Sequence, residues 1–152
     1  MITFHSKVLS IAIGAGLACA LYIWLEPTGD SLVGSMPTSQ RSSDDRLLDA
    51  MILKESSGND RAVGDAGASK GCLQIGRLYW QDAIDHSGAD WEYDRLVWSR
   101  PHSRQIVKWY WNKYGAETVE KKCRIHNGGP AGMFKSGTIS YWKKVEIIMK
   151  GL

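Results

Sequence analysis

DDRLLDAMILKESSG, residues 44–58, is the stretch that decides the fold class. Ser43 or Asp44 can cap a helix at its start, and Gly58 can end it. Stepping about 100° per residue from Leu47, the residues Met51, Leu48 and Ile52 fall at about 40°, 100° and 140°. Those positions form one apolar arc, and Glu55, at about 80°, stands in its middle. A carboxylate centred on a core-facing stripe is costly unless it has a partner or a purpose. Burial and the negative end of the helix both favour its protonated form, the form a general acid requires. A structural glutamate paired with Arg or bonded to backbone amides is the plain alternative.

Residues 59–71 (NDRAVGDAGASKG) are rich in turn formers, with Gly64, Gly67 and Gly71 joining Gly58. This composition suits a small hairpin or looped β region. Asp65 lies within it, ten residues after Glu55. A carboxylate on a helix and a second on a facing loop are the equipment of glycoside hydrolysis. An ordinary Asp-containing turn is the competing reading of Asp65.

The remaining segments read as helices. Residues 73–85 form one, with Gly76 as a weak point. Residues 102–114 gather Ile106, Val107, Tyr110, Trp111 and Tyr114 on one core face, leaving Trp109 off it to line a groove. Residues 117–126 form a short helix ended by Asn127, Gly128, Gly129 and Pro130. Residues 138–150 align Tyr141, Trp142, Val145, Ile148 and Met149. The expected fold class is α+β, mainly helical, with a small β-hairpin or loop region.

Ahead of this domain, residues 8–25 (VLSIAIGAGLACALYIWL) carry no charge over 18 positions. As a helix they span roughly 27 Å, about the hydrocarbon thickness of a bilayer. Lys7 before the run, with Glu26 and Asp30 after it, orients the rest of the chain outward. Residues 1–25 are read as an export element: a signal peptide cleaved after Ala18-Cys19-Ala20, or a retained membrane anchor. Residues 26–43, rich in Pro, Gly, Ser and Thr, read as a flexible linker, and residues 44–152 as the folded domain. The expected location is therefore exported: membrane-anchored and facing outward, or secreted.

Composition narrows the partners. Of 152 residues, 43% are hydrophobic and 23% charged, an ordinary globular mix. The net charge of +3 is too low to argue for nucleic acid. Its distribution is uneven: residues 41–98 sum to −4 and residues 99–152 to +8. A basic half suits an anionic polymer, and equally suits solvated helix faces. His5, His86, His102 and His126 have no Cys or carboxylate partners at ligand spacing, so neither a metal nor a cofactor is expected. Three cysteines are too few for a disulfide scaffold. Cys72 and Cys123 are either bonded to each other or buried as free thiols.

Residues 54–83 (KESSGNDRAVGDAGASKGCLQIGRLYWQDA), then 124–133 (RIHNGGPAGM) and 138–145 (TISYWKKV), resemble the invertebrate-type lysozymes, in a bacterial-type version with few cysteines. The likeness covers nearly all of the domain. It implies a lysozyme-like fold and hydrolysis of the β-1,4 bond between N-acetylmuramic acid and N-acetylglucosamine in peptidoglycan or a related N-acetylhexosamine polymer. It places Glu55 as general acid and Asp65 as second carboxylate, the nucleophile of a retaining mechanism. It sets Gln74, Tyr79, His126 and Asn127 along the substrate. Some members are also credited with isopeptide cleavage, which here points to Ser69 and His126. For His126, a local bond at a helix end is the plainer role. Two other readings stay open: a lytic transglycosylase using Glu55 alone, and a non-catalytic peptidoglycan-binding module.

Overall fold

The computed structural model describes residues 41–152. The expected export element and nearly all of the linker lie outside the described residues. Helix α1 (Ser43–Ser56) is capped by Ser42, whose Oγ accepts from the Asp45 amide at 3.1 Å. The cap is therefore one residue earlier than the two candidates read from the sequence. The helix closes on Ser57 in the left-handed conformation, its amide bonding back to the Ile52 and Leu53 carbonyls.

Three two-residue strands follow: β1 (Val63–Gly64), β2 (Ser69–Lys70) and β3 (Ile75–Gly76). They pair antiparallel in chain order, Gly64 opposite Ser69 and Lys70 opposite Ile75. A 3₁₀ turn, Asp65–Gly67, forms the tip of the first hairpin. The helix expected over residues 73–85 begins only at Arg77. Gln74 takes a φ of +47°, and Gly76 is extended at φ −81°, ψ 159° while paired in the sheet. Neither conformation continues a helix backward from α2 (Arg77–Ser87).

The rest is helical: α3 (Tyr93–Leu96), α4 (Arg100–Lys113), α5 (Val119–Gly128) and α6 (Gly137–Lys150), with a 3₁₀ turn at Gly132–Phe134. The short α3 has no counterpart in the sequence reading. Helix α2 packs on α4, and α6 packs on both α1 and α5. Leu47, Leu48, Met51 and Ile52 of α1 meet Trp80, Ile106, Val107, Trp111, Ile125 and Val145 in one core. The indole N–H groups of Trp80 and Trp111 donate to the carbonyls of Trp91 and Lys122, so these large side chains are buried without stranding a donor.

Two constraints fix the frame around the site. Arg124 is buried and fully used: it pairs with Glu120 at 2.6 Å and donates to Thr138 Oγ1 and the Met133 carbonyl. These bonds fasten α5 to the start of α6. A Cβ on Gly132 would stand 2.0 Å from the Arg124 carbonyl oxygen, so only glycine lets the 3₁₀ turn lie this close to α5. Among the described residues no helix is long and apolar enough to cross a membrane.

Candidate active site

Glu55 sits in the last turn of α1, as its periodicity requires, with its side chain 17% exposed. No Lys or Arg forms an ion pair with it among the described residues. Its ion-pair-range neighbour is His126 of α5, whose Nε2 lies 3.8 Å from Oε1. Tyr141 of α6 faces the same carboxylate. Burial, with Glu55's charge second, pushes the Tyr141 hydroxyl well above the usual tyrosine range. Three helices thus converge on one carboxylate.

His126 is not the local helix-end cap suggested by its position. Its side chain is 4% exposed, and its Nδ1 is 3.2 Å from the Tyr79 hydroxyl of α2. Tyr79 stacks on Tyr110 of α4, with ring centroids 3.6 Å apart. Burial drives the His126 pKa below its ordinary value of 6.5, against the opposing pulls of Glu55 and the Leu73 carbonyl. The imidazole beside Glu55 is therefore neutral at pH 7.

Asp65 is exposed at the hairpin tip. It and the next residue, Ala66, both have positive φ, 49° and 53°. Two successive non-glycine residues in the left-handed region store strain of order 1–3 kcal/mol each, which persists only where the surroundings impose it. Ser69 Oγ donates to Asp65 Oδ2 at 2.6 Å, fixing the carboxylate's orientation. Ser69 is thereby engaged with Asp65, and His126 with Tyr79 and Glu55. The structure does not join Ser69 and His126 by a hydrogen bond.

Gln74 is bonded within the hairpin. Its amide nitrogen donates to the Gly71 carbonyl at 2.8 Å and the Ala62 carbonyl at 3.3 Å. Its amide oxygen lies where a Cβ on Gly64 would be, 2.2 Å away. The side chain stitches the hairpin that displays Asp65. Asn127 is exposed on the last turn of α5.

Two hollows flank the start of α2. One, of about 400 Å³, is lined by Ala68, Lys70, Arg77, Leu78, Tyr79 and Tyr93 among others. The second, of about 490 Å³, includes Leu78, Tyr79, Asp82, Tyr110, Gly129 and Pro130. Leu78, 88% exposed, and Tyr79 form the ridge shared by both. Neither hollow is lined by Glu55 or Asp65; Tyr79 connects them to the carboxylate through His126. Sequence reasoning missed Tyr141 as a neighbour of Glu55 and Tyr110 as the ring behind Tyr79. Both occupy core positions of amphipathic helices, where an aromatic with a polar neighbour looks like any other.

No family model matches the chain. An invertebrate-type lysozyme of Ruditapes philippinarum is 33% identical over 104 residues, covering 64% of this chain and 76% of that protein. The chain belongs to the invertebrate-type lysozyme family. Invertebrate-type lysozyme 2 of Caenorhabditis elegans is 33% identical over 94 residues, covering 53% of this chain and 68% of the relative. Lysozyme 1 of Crassostrea virginica is 36% identical over 81 residues, but the chain spans only 44% of its length. In three dimensions this family member is similar to the crystal structure of Tapes japonica lysozyme, with a TM-score of 0.56 and 30% identity over 66% of this chain and 86% of the other. It is also similar to a structure of Aeromonas hydrophila PliI in complex with Meretrix lusoria lysozyme, with a TM-score of 0.57 and 30% identity over 68% and 88%. The mainly helical lysozyme-like fold is thus the observed one.

In this family member Cys72 and Cys123 are both buried free thiols. Burial pushes them up to about 11 and about 12, so neither is a thiolate at pH 7. No group of three or more His, Cys, Asp or Glu side chains spaced to hold a metal occurs among the described residues.

Proposed function

We propose that the protein is an exported muramidase, a lysozyme-type glycoside hydrolase that cleaves the β-1,4 bond between N-acetylmuramic acid and N-acetylglucosamine in peptidoglycan. The observation that carries this reading is Glu55 itself: a half-buried carboxyl on the apolar arc of α1, with a neutral imidazole rather than a cation beside it. Proton donation or acceptance there breaks no ion pair.

Protonated Glu55 donates to the glycosidic oxygen as the bond to the anomeric carbon breaks, and the electron pair leaves with that oxygen. Asp65 attacks the anomeric carbon or stabilises its oxocarbenium character. Its strained backbone and its bond from Ser69 support a carboxylate held for use. Water, deprotonated by the now ionised Glu55, completes hydrolysis. Tyr79 and Asn127 line the glycan in this reading, with Gln74 acting through the hairpin. The apolar run at residues 8–25 supports export, as signal peptide or anchor, with residues 26–43 as tether to the wall-facing domain.

Mass spectrometry of fragments released from purified peptidoglycan tests the proposal. Reducing-end muropeptides support it. Anhydro ends, with Asp65→Asn still active, would make the protein a transglycosylase instead. Binding to the wall without fragments would make it a binding module. Glu55→Gln should abolish release while the fold survives.

A further inference from the structure

The Tyr141 hydroxyl is buried and has no hydrogen-bond partner among the described residues. An O–H shut away from water without an acceptor is costly, and folded proteins seldom keep one without reason. Its ring is anchored on the core face of α6, next to α1 and α5. The groups with charge or a titratable proton around it are Glu55 and Lys54 from α1, Tyr79 from α2, and Cys123 and His126 from α5. Of these, Glu55 is the one carboxylate. Lys54 lies over the ring, its Nζ 5.6 Å from the centroid, rather than at the hydroxyl. Cys123 and Tyr79 keep their protons at neutral pH, because burial raises both.

The geometry points to Tyr141 as a positioning residue for Glu55, its buried hydroxyl donating to one carboxylate oxygen so that the other is turned to the glycosidic bond. The hydroxyl is unbonded in the free protein, and Glu55 is the carboxylate that acts on it. Hydrogen bonds at catalytic groups are often long in the free enzyme and tighten when substrate binds. Beside it stands neutral His126, its ring centroid 6.3 Å from that of Tyr141 and its Nδ1 held by Tyr79. The carboxyl thus has two neutral neighbours, one on α5 and one on α6, which restrict its swing without supplying a counter-charge. When Glu55 has given up its proton, the Tyr141 O–H stabilises the anion; when Glu55 takes a proton from water, that bond yields.

This inference rests on Glu55 as the general acid, and its test separates the two ideas. Tyr141→Phe removes one oxygen and keeps the ring. A donor to the anion favours the ionised form, so its loss favours the protonated form. The alkaline limb of the kcat–pH profile should move up by about half to one pH unit, with kcat down about tenfold and KM within about twofold. The NMR titration midpoint of the Glu55 carboxyl carbon should rise by the same amount. A purely structural tyrosine would move neither midpoint nor limb. An unchanged midpoint overturns the proposal, whatever happens to the rate. A raised midpoint together with a fully active Glu55→Gln protein would overturn the general-acid assignment instead, and with it any catalytic purpose of the contact. Should Tyr141→Phe fail to fold, a fluorinated tyrosine at the same position, a stronger donor, must lower the midpoint; a rise or no change overturns the proposal.

Discussion

Nε2 of His126 stands 3.8 Å from Oε1 of Glu55, and the histidine is the more deeply buried of the two, 4% exposed against 17%. At that separation the pair is in ion-pair range but not hydrogen-bonded. Burial keeps the ring neutral, so the contact is a dipole against a carboxyl rather than a salt bridge. Stacked Tyr79 and Tyr110 hold the ring from behind.

The depressed His126 pKa makes stability depend on pH. The unfolded chain binds a proton near pH 6.5 that the native state resists, so the native advantage is full above that value and is lost as pH falls toward the folded value. The melting temperature should therefore drop as pH is lowered from about 7 to about 5. Calorimetry on His126→Gln should show a shallower slope over that window.

Asp45 accepts from Arg104 and Lys108 at 3.1 and 2.9 Å, and from Ser42. These bonds, that from Lys108 foremost, hold its carboxyl well below the usual range. Its stabilisation is present above the unfolded pKa near 4 and disappears as pH falls through the folded value. Because the side chain is 35% exposed, solvent screens the gain, and Asp45→Asn should cost only about 1 kcal/mol at pH 7. Urea unfolding should show that difference shrinking in acid.

Ser69→Ala leaves Asp65 without its 2.6 Å donor. Glycan hydrolysis should slow about three- to tenfold, mostly in kcat, since an oriented carboxylate becomes a mobile one. Steady-state kinetics on soluble chitooligosaccharides or muropeptides would show it. An unaltered kcat would remove Ser69 from the machinery.

Gly132→Ala places a methyl 2.0 Å from the Arg124 carbonyl. The backbone of α5 cannot yield as a flexible side chain would, so denaturant titration should show a loss of about 3 kcal/mol. Activity per folded molecule should fall too, because α5 carries His126.

Buried Cys72 and Cys123, with pKa values of about 11 and about 12, should resist alkylation. Peptide mapping after iodoacetamide should find both unlabelled in native protein and labelled in denaturant.

Part of the candidate site is legible in the sequence because local periodicity exposes contradictions. Glu55 on an apolar arc is one, and it marks the residue without knowledge of its neighbours. The glycines around Asp65 likewise announced a tight hairpin. The helix expected over residues 73–85 fails at 73–76. Sheet pairing to Ser69 and Lys70 and the left-handed backbone of Gln74 override it. The bonds of Gln74 to the Gly71 and Ala62 carbonyls join residues across the hairpin, which its polarity alone does not foretell.

The amphipathic helices, their approximate ends, the turn-rich hairpin and the acidic residue on the wrong face were determined by sequence alone, since each depends on residues within a turn or two of one another. The tertiary structure decided that His126 and Tyr141 meet Glu55, that Tyr79 and Tyr110 stand behind His126, that Ser69 bonds Asp65, and that Cys72 and Cys123 are unbonded thiols. Those relationships join residues from different helices. They depend on packing angles and on burial, which shift proton affinities and choose partners, and neither quantity is written in any local stretch of the chain.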